Sequence, residues 1–154
     1  MIDTPQILET EAIQTAVIHL HIPHAEMRTA MGPGIAELMA AVGAQGITPS
    51  GRWFTRHFKF EPGMFDFEIS IPVPRPVTAV GRVKPSVLPA TTVARTIYHG
   101  GYEGLAGAWP QLDAWIKAQG RTPSPSLWEV YVTDPQANPD PGTWRTELNR
   151  PLIG

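Results

Sequence analysis

Glu129 is the residue of this chain that most clearly asks for a chemical explanation. It lies in Trp128-Glu129-Val130-Tyr131, where strand alternation sets Glu129 and Tyr131 on one face and Trp128 and Val130 on the other. A carboxylate at the centre of a strand is costly unless that face is wet or holds a cation. Beside aromatic rings it suits a lipophilic cation, each cation–π contact adding about 0.5–2 kcal/mol. The same carboxylate could serve as a general base on a water, and a Glu on the wet face of a half-exposed sheet is the plain alternative. Tyr131 offers a ring wall with a hydrogen-bonding tip.

Three histidines, His19, His21 and His24, raise the question of a metal. His19 and His21 share a strand face, as the two ligands of an H-x-H site would. His24, however, follows Pro23 and should leave the strand, and no carboxylate neighbours the cluster in sequence. The expectation is that these side chains line a groove or face water, with His19 among the ligand-facing residues. The chain has no cysteine, which excludes a thiolate metal site, a thiol nucleophile and a disulfide framework. It carries no Ser-His-Asp order, P-loop or dinucleotide fingerprint. No metal and no cofactor are expected.

The elements that must position these residues come twice. Ala44-Gln45-Gly46-Ile47-Thr48-Pro49-Ser50 returns as Ala118-Gln119-Gly120-Arg121-Thr122-Pro123-Ser124, with one position changed, and a tryptophan (Trp53, Trp128) follows each copy. Further on, the segment from Phe65 to Val73 parallels that from Trp144 to Leu152: aromatic, Glu, branched aliphatic, then Pro before an aliphatic. The period is about half the chain, which points to a duplicated unit rather than a solenoid.

Each half reads β-α-β-β. Ala16, Ile18, Leu20 and Ile22 alternate with Val17, His19 and His21 in a first strand. A helix follows with Ile35, Leu38, Met39 and Val42 at core spacing, closed by Gly46. Strands near 53–60 and 65–73 are joined by the Glu61-Pro62-Gly63 turn. The second half repeats this with a strand near 91–99, a helix carrying Leu105, Trp109, Leu112 and Ile116 up to Gly120, and strands near 127–133 and 143–150. Pro110 should kink that helix or mark a late start. The repeats are expected to span about 12–73 and 91–152 of a single domain, with 74–89 as a connection that can add an edge strand. The fold class is α+β, a curved antiparallel sheet with both helices on one face and the other face left to form a ligand groove.

Repeat symmetry extends the list of candidates. Phe54, Arg56 and Phe58 fall on the strand related to that of Glu129; they line an opposite wall or are sheet packing with one exposed arginine. Glu68 and Glu147 are repeat partners, either a paired pocket feature or solvent-facing positions beside a proline. Trp53, Trp109, Trp115 and Trp128 sit on apolar phases and read as core. Tyr98-His99-Gly100-Gly101-Tyr102 supplies a tight turn into the second helix, with Tyr102 at the groove rim.

Composition narrows the class further. The formal charge is -2 and no Lys/Arg run occurs, so direct nucleic-acid binding is not expected. No apolar run approaches a membrane span, and the N-terminus has no basic, then apolar, signal pattern, so a soluble cytoplasmic domain is expected. The 17 prolines and 14 glycines lie between periodic segments, marking short elements and tight turns rather than disorder.

Taken in order, Leu88-Pro89-Ala90, Tyr98-His99-Gly100-Gly101-Tyr102, the helix with Trp109, Leu112 and Trp115, Trp128-Glu129-Val130-Tyr131, Asp134-Pro135 and Arg150-Pro151-Leu152 resemble the GyrI-like, or AraC-type, effector-binding superfamily. Glu68 with Ile71-Pro72-Val73 is similar to its strand before the midpoint. The resemblance implies a pseudo-two-fold fold whose groove binds small, often cationic and aromatic molecules, with the ligand-facing carboxylate at Glu129. Many members are sensing halves of transcription activators. Here the two repeats leave no room for a helix-turn-helix, so a stand-alone member is expected, one that senses or sequesters its ligand. The same resemblance allows a hydrolase of strained cyclopropane rings with Glu129 as general base, and, more weakly, a gyrase-interacting modulator. Haem-binding SOUL-type proteins share the fold, but nothing beyond fold analogy supports haem here. Gly101, where the family often has proline, and Pro110 depart from the pattern.

Overall fold

The computed structural model describes residues 2–61, 63–133 and 139–153. In chain order its elements are β1 (Gln6–Glu9), β2 (Ile13–Pro23), α1 (Met27–Ala44), β3 (Phe54–Glu61), β4 (Met64–Pro72), β5 (Val83–Leu88), β6 (Thr92–His99), α2 (Leu105–Ala118), β7 (Leu127–Tyr131) and β8 (Arg145–Pro151). Every strand pairing within a unit is antiparallel, and the class is α+β.

The chain divides into two compact units, Glu11–Ala90 and Met1–Thr10 with Thr91–Gly154. The first has strand order β3-β4-β2-β5 and carries α1. Alternation decides its two faces. Ala16, Ile18 and Leu20 of β2 and Phe67, Ile69 and Ile71 of β4 pack with Leu38 and Val42 of α1, whereas His19, Glu68, Ser70 and Arg56 point away from the helix. Met39, expected on the core stripe, is exposed at 42%. The two helical turns anchored at Leu38 and Val42 suffice to bury this face, and Met39 lies past its edge.

The second unit has order β1-β6-β8-β7 and carries α2. Ala94, Tyr98, Leu148 and Leu152 pack with Ala108, Leu112 and Ile116. Its edge strand β1 escapes the sequence pattern because four residues after Pro5 are too few to show alternation. It pairs with β6 from Gln6↔Arg95 to Glu9↔Thr92. In the first unit, strand β5 does form from the connecting segment and pairs with β2. Pro110 lies inside α2, one turn beyond its start, and α1 likewise runs through Pro33.

The same local bonds recur in both units. Gly46 and Gly120 close the helices at φ +70° and +72°, a conformation glycine adopts without a Cβ penalty. Ile47 N–H donates to Val42 O at 3.2 Å, and Arg121 N–H donates to Ile116 O at 3.1 Å. Ser50 N–H donates to Pro72 O at 2.9 Å, and Ser124 N–H to Pro151 O at 2.8 Å. These bonds pin the correspondence of the units: Pro72 with Pro151, hence Ile69 with Leu148 and Glu68 with Glu147. Through the cross-strand register, Thr55↔Ile69 matches Glu129↔Leu148. Among the described residues no helix is long and apolar enough to cross a membrane.

Candidate functional site

Glu129 and Tyr131 do share a face, but it is the face that α2 covers, not the one opposite. They pair with Leu148 and Thr146, and Leu148 belongs to the core under α2. The carboxylate is held at both oxygens. Trp109, from the second turn of α2, donates its indole N–H to Oε1 at 2.7 Å, and the Tyr131 hydroxyl donates to Oε2 at 2.8 Å. Indole can only donate, so this contact fixes Oε1 as an acceptor. Burial raises the Glu129 pKa above the ordinary carboxylate value, and the two hydrogen bonds, which favour the charged form, oppose that shift.

Aromatic rings continue the enclosure. Tyr102, in the turn entering α2, meets Tyr131 edge-on at 5.7 Å and Trp144 at 4.9 Å between ring centroids. That turn is set by Gly100 at φ +134° and by Tyr98, whose hydroxyl donates to Gly101 O at 2.9 Å. Over the Trp109 ring lies Arg150, its guanidinium 5.5 Å from the indole centroid and bonded to both carboxylate oxygens of Asp113 at 3.0 and 2.8 Å. Thr146, cross-strand neighbour of Tyr131, is fully buried, and its hydroxyl has no hydrogen-bond partner among the described residues. The arrangement is a half-buried carboxylate held by Trp109 and Tyr131, with the Tyr102 and Trp144 rings adjoining Tyr131, chemistry that fits an organic cation.

Of the sequence candidates, Glu129, Tyr131 and Tyr102 come together in this unit. Trp109, read as core, is half-buried and bonded to Glu129; the informative signal was an indole N–H needing an acceptor one strand away. Trp144 and the Arg150–Asp113 pair were not anticipated as site residues. Asp134 and Pro135 lie outside the described residues.

Phe54, Arg56, Phe58 and His19 gather in the other unit, on the face away from α1. The Arg56 guanidinium stacks 5.0 Å from the Phe58 centroid, and His19 is hydrogen-bonded to Asp66 across the β2–β4 pair. Phe54, Arg56 and Phe58 do lie on the strand related to that of Glu129, but one residue out of phase with it. The counterparts of Glu129 and Tyr131 are Thr55 and His57, and Trp128 answers to Phe54 rather than Trp53. Pairing the tryptophans slips the register by one residue, which moves every side chain to the other face.

Around Glu68 burial raises the pKa, while Arg56 and His19 favour its charged form; Glu147 instead accepts from Asn149 at 3.0 Å and contacts Arg95 at 3.3 Å. A depression of about 700 Å3 is lined by His19, Phe58, Asp66, Glu68 and Lys84 among others. Another of about 760 Å3 between α1 and residues 78–83 is mostly alanine and valine, its charged residues Glu37 and Arg82 bonded to each other. Among the described residues no three His, Asp or Glu side chains form a metal-binding group.

Fold and site together define a small-molecule-binding domain. The chain belongs to the GyrI-like family: the sequence model of the GyrI-like small molecule binding domain matches residues 3–152. The crystal structure of the EcmrR C-terminal domain is similar, with TM-score 0.85 and 22% identity over 97% of this chain and 96% of that one. In the EcmrR–DNA complex the chain spans 57% of the EcmrR chain, at TM-score 0.84 and 21% identity over 97% of this one. A structure of SAV2435 bound to tetraphenylphosphonium matches at TM-score 0.65 and 10% identity, over 99% of this chain and 95% of that one. These likenesses show the fold. No curated protein sequence matches the chain.

Proposed function

We propose that this domain binds a lipophilic aromatic cation at Glu129, and so senses or sequesters it. The observation that carries the reading is a carboxylate desolvated on the α2 face, with one donor on each oxygen and aromatic rings on its flanks. Water would solvate such a charge better than two neutral donors do, and an organic cation seated against the rings offsets that loss. The tetraphenylphosphonium-bound SAV2435 structure supports the class of ligand. Tyr131, Tyr102, Trp109 and Trp144 supply the contact area.

Titration of tetraphenylphosphonium by calorimetry tests this, with triphenylphosphine oxide as the neutral reference. Glu129→Gln keeps the shape and removes the charge, so phosphonium affinity should fall about tenfold or more, roughly 1.4 kcal/mol, while the oxide changes little. The raised pKa also sets a sign. Phosphonium affinity should decline on acidification at a higher pH than an ordinary glutamate would dictate, because protonation removes the charge partner. Equal loss for both ligands, or for neither, sinks the charge-pairing role.

The raised pKa supports a second reading, in which Glu129 takes a proton from a water attacking a strained electrophile, with Tyr131 beside it. Turnover of a cyclopropane-bearing alkylator that disappears in Glu129→Gln, under conditions where phosphonium binding is absent in the parent protein, would put this reading first.

A further inference from the structure

Arg150 poses a difficulty for a cation site. Its guanidinium lies over the ring of the same indole whose N–H holds Glu129, 5.5 Å from the centroid. Its side chain is only 11% exposed, so solvent screens its charge weakly. Left alone, it would cancel the Glu129 charge and repel a cationic ligand. Asp113, one helical turn beyond Trp109 on α2, meets it with two parallel bonds at 3.0 and 2.8 Å, while Ser126 O lies 3.5 Å from the guanidinium. Arg145 turns its own guanidinium to the carbonyls of Gly142 and Trp144, at 3.4 and 2.9 Å.

Resting on the reading of Glu129 as cation partner, we propose that Asp113 is a charge-setting residue. It neutralises Arg150, leaving one negative charge at the site and making it selective for a monocation. Asp113 and Arg150 act through Trp109 and through the field at Glu129, and neither is assigned contact with the ligand. The pair also accounts for why a buried arginine is tolerated beside this site. A bidentate carboxylate fixes the guanidinium plane against the indole, and so holds the indole N–H on Oε1.

Two ions of one shape and opposite charge, tetraphenylphosphonium and tetraphenylborate, read out the charge directly. In the parent chain phosphonium should bind and borate should not. Asp113→Asn frees the guanidinium, so phosphonium affinity should drop about tenfold and borate affinity should rise. Arg150→Gln leaves Asp113 uncompensated, so phosphonium should bind about threefold or more tighter, an outcome that damage to the site would not produce. The double variant should return to within about twofold of the parent. A merely structural pair would weaken both probes in both single variants, with no restoration in the double, and that pattern overturns the proposal. If Asp113→Asn does not fold, the Arg150→Gln response decides alone: tighter phosphonium supports the proposal, unchanged or weaker binding overturns it. Parent protein that binds neither ion removes the cation reading itself, whereas phosphonium binding indifferent to all three variants removes only the role of Asp113.

Discussion

The two units carry the same ring positions and use them in opposite ways. Tyr102, Tyr131 and Trp144 in one answer to His24, His57 and Phe65 in the other, and the ring pairs Tyr102–Trp144 and His24–Phe65 are tilted alike at 38° and 33°. In the 91–154 unit the strand places Glu129 and Tyr131, both half-buried, beside Thr146. In the 11–90 unit the matching positions hold Thr55, His57 and Phe67, exposed at 0%, 6% and 0%. His57 stacks on Phe67 at 5.2 Å, so a ring closes what a threonine leaves in the other unit. Matching positions of the two units therefore differ in kind: in one they are closed core, and in the other they hold a half-buried carboxylate. The cost of burying charge accounts for the difference: the closed positions hold a threonine and a histidine kept neutral, and the half-buried one holds a carboxylate.

Moving the charge from one copy to the other gives the largest effect. Thr55→Glu puts a carboxylate where no access to water exists, and should destabilise the chain by about 3 kcal/mol or more, read from urea denaturation. Stability within about 0.5 kcal/mol of the parent would mean the two positions are equally open, and the comparison would fail.

His57 sharpens it through pH. Burial lowers its pKa from 6.5 to about 4. A depressed folded-state pKa means the unfolded chain binds the extra proton, so stability is full above about pH 6.5 and falls as pH drops toward 4. The expected loss is up to about 3 kcal/mol. In His57→Phe, where a ring still meets Phe65 and Phe67, that acid-side loss should be absent while stability at pH 7 to 8 stays close to the parent. An unchanged acid limb would show that His57 is not the closed position it is taken to be.

Much of this was legible before the structure. The near-repeat around Gly46 and Gly120 and the aromatic-Glu-aliphatic-Pro frames yielded the β-α-β-β order, because turn glycines and prolines are fixed by backbone geometry that any copy must keep. Glu129 stood out because a carboxylate at the centre of a strand is costly unless its face is wet or holds a cation. What failed was phase. Aligning Trp53 with Trp128 seemed natural by residue type, yet Ser50 and Ser124, each donating to its own proline carbonyl, set the register one residue away. A period of two turns that slip into a change of face, so Thr55 and His57, rather than Phe54 and Arg56, match Glu129 and Tyr131. Trp109 packs against the core as its helical spacing predicts, and it bonds Glu129 as well. Helical spacing shows which residues face the sheet, but not that one of them reaches past the core to a polar partner on β7.

The smallest expected effect concerns Thr146, the residue that stands where the other unit has Phe67. Its hydroxyl is fully buried without a hydrogen-bond partner among the described residues, next to Tyr131 in the pairing with β7. A buried hydroxyl that makes no bond has lost its water contacts without recompense, which costs about 1–3 kcal/mol. Thr146→Val keeps the branched shape and removes that cost, so the protein should gain about 1 kcal/mol in urea denaturation, with a midpoint shift and no change in m-value. Two outcomes separate the meanings of the gain. If stability rises and tetraphenylphosphonium affinity is unchanged, Thr146 is an unfavourable remnant of the duplication, tolerated beside the site. If stability rises and phosphonium affinity falls several-fold, the hydroxyl was retained for the bound state, and the difference from Phe67 is itself part of how this copy remained a site. A loss of stability would instead show that the hydroxyl is satisfied in solution, and the contrast with the ring-filled copy would then rest on Glu129 and Thr55 alone.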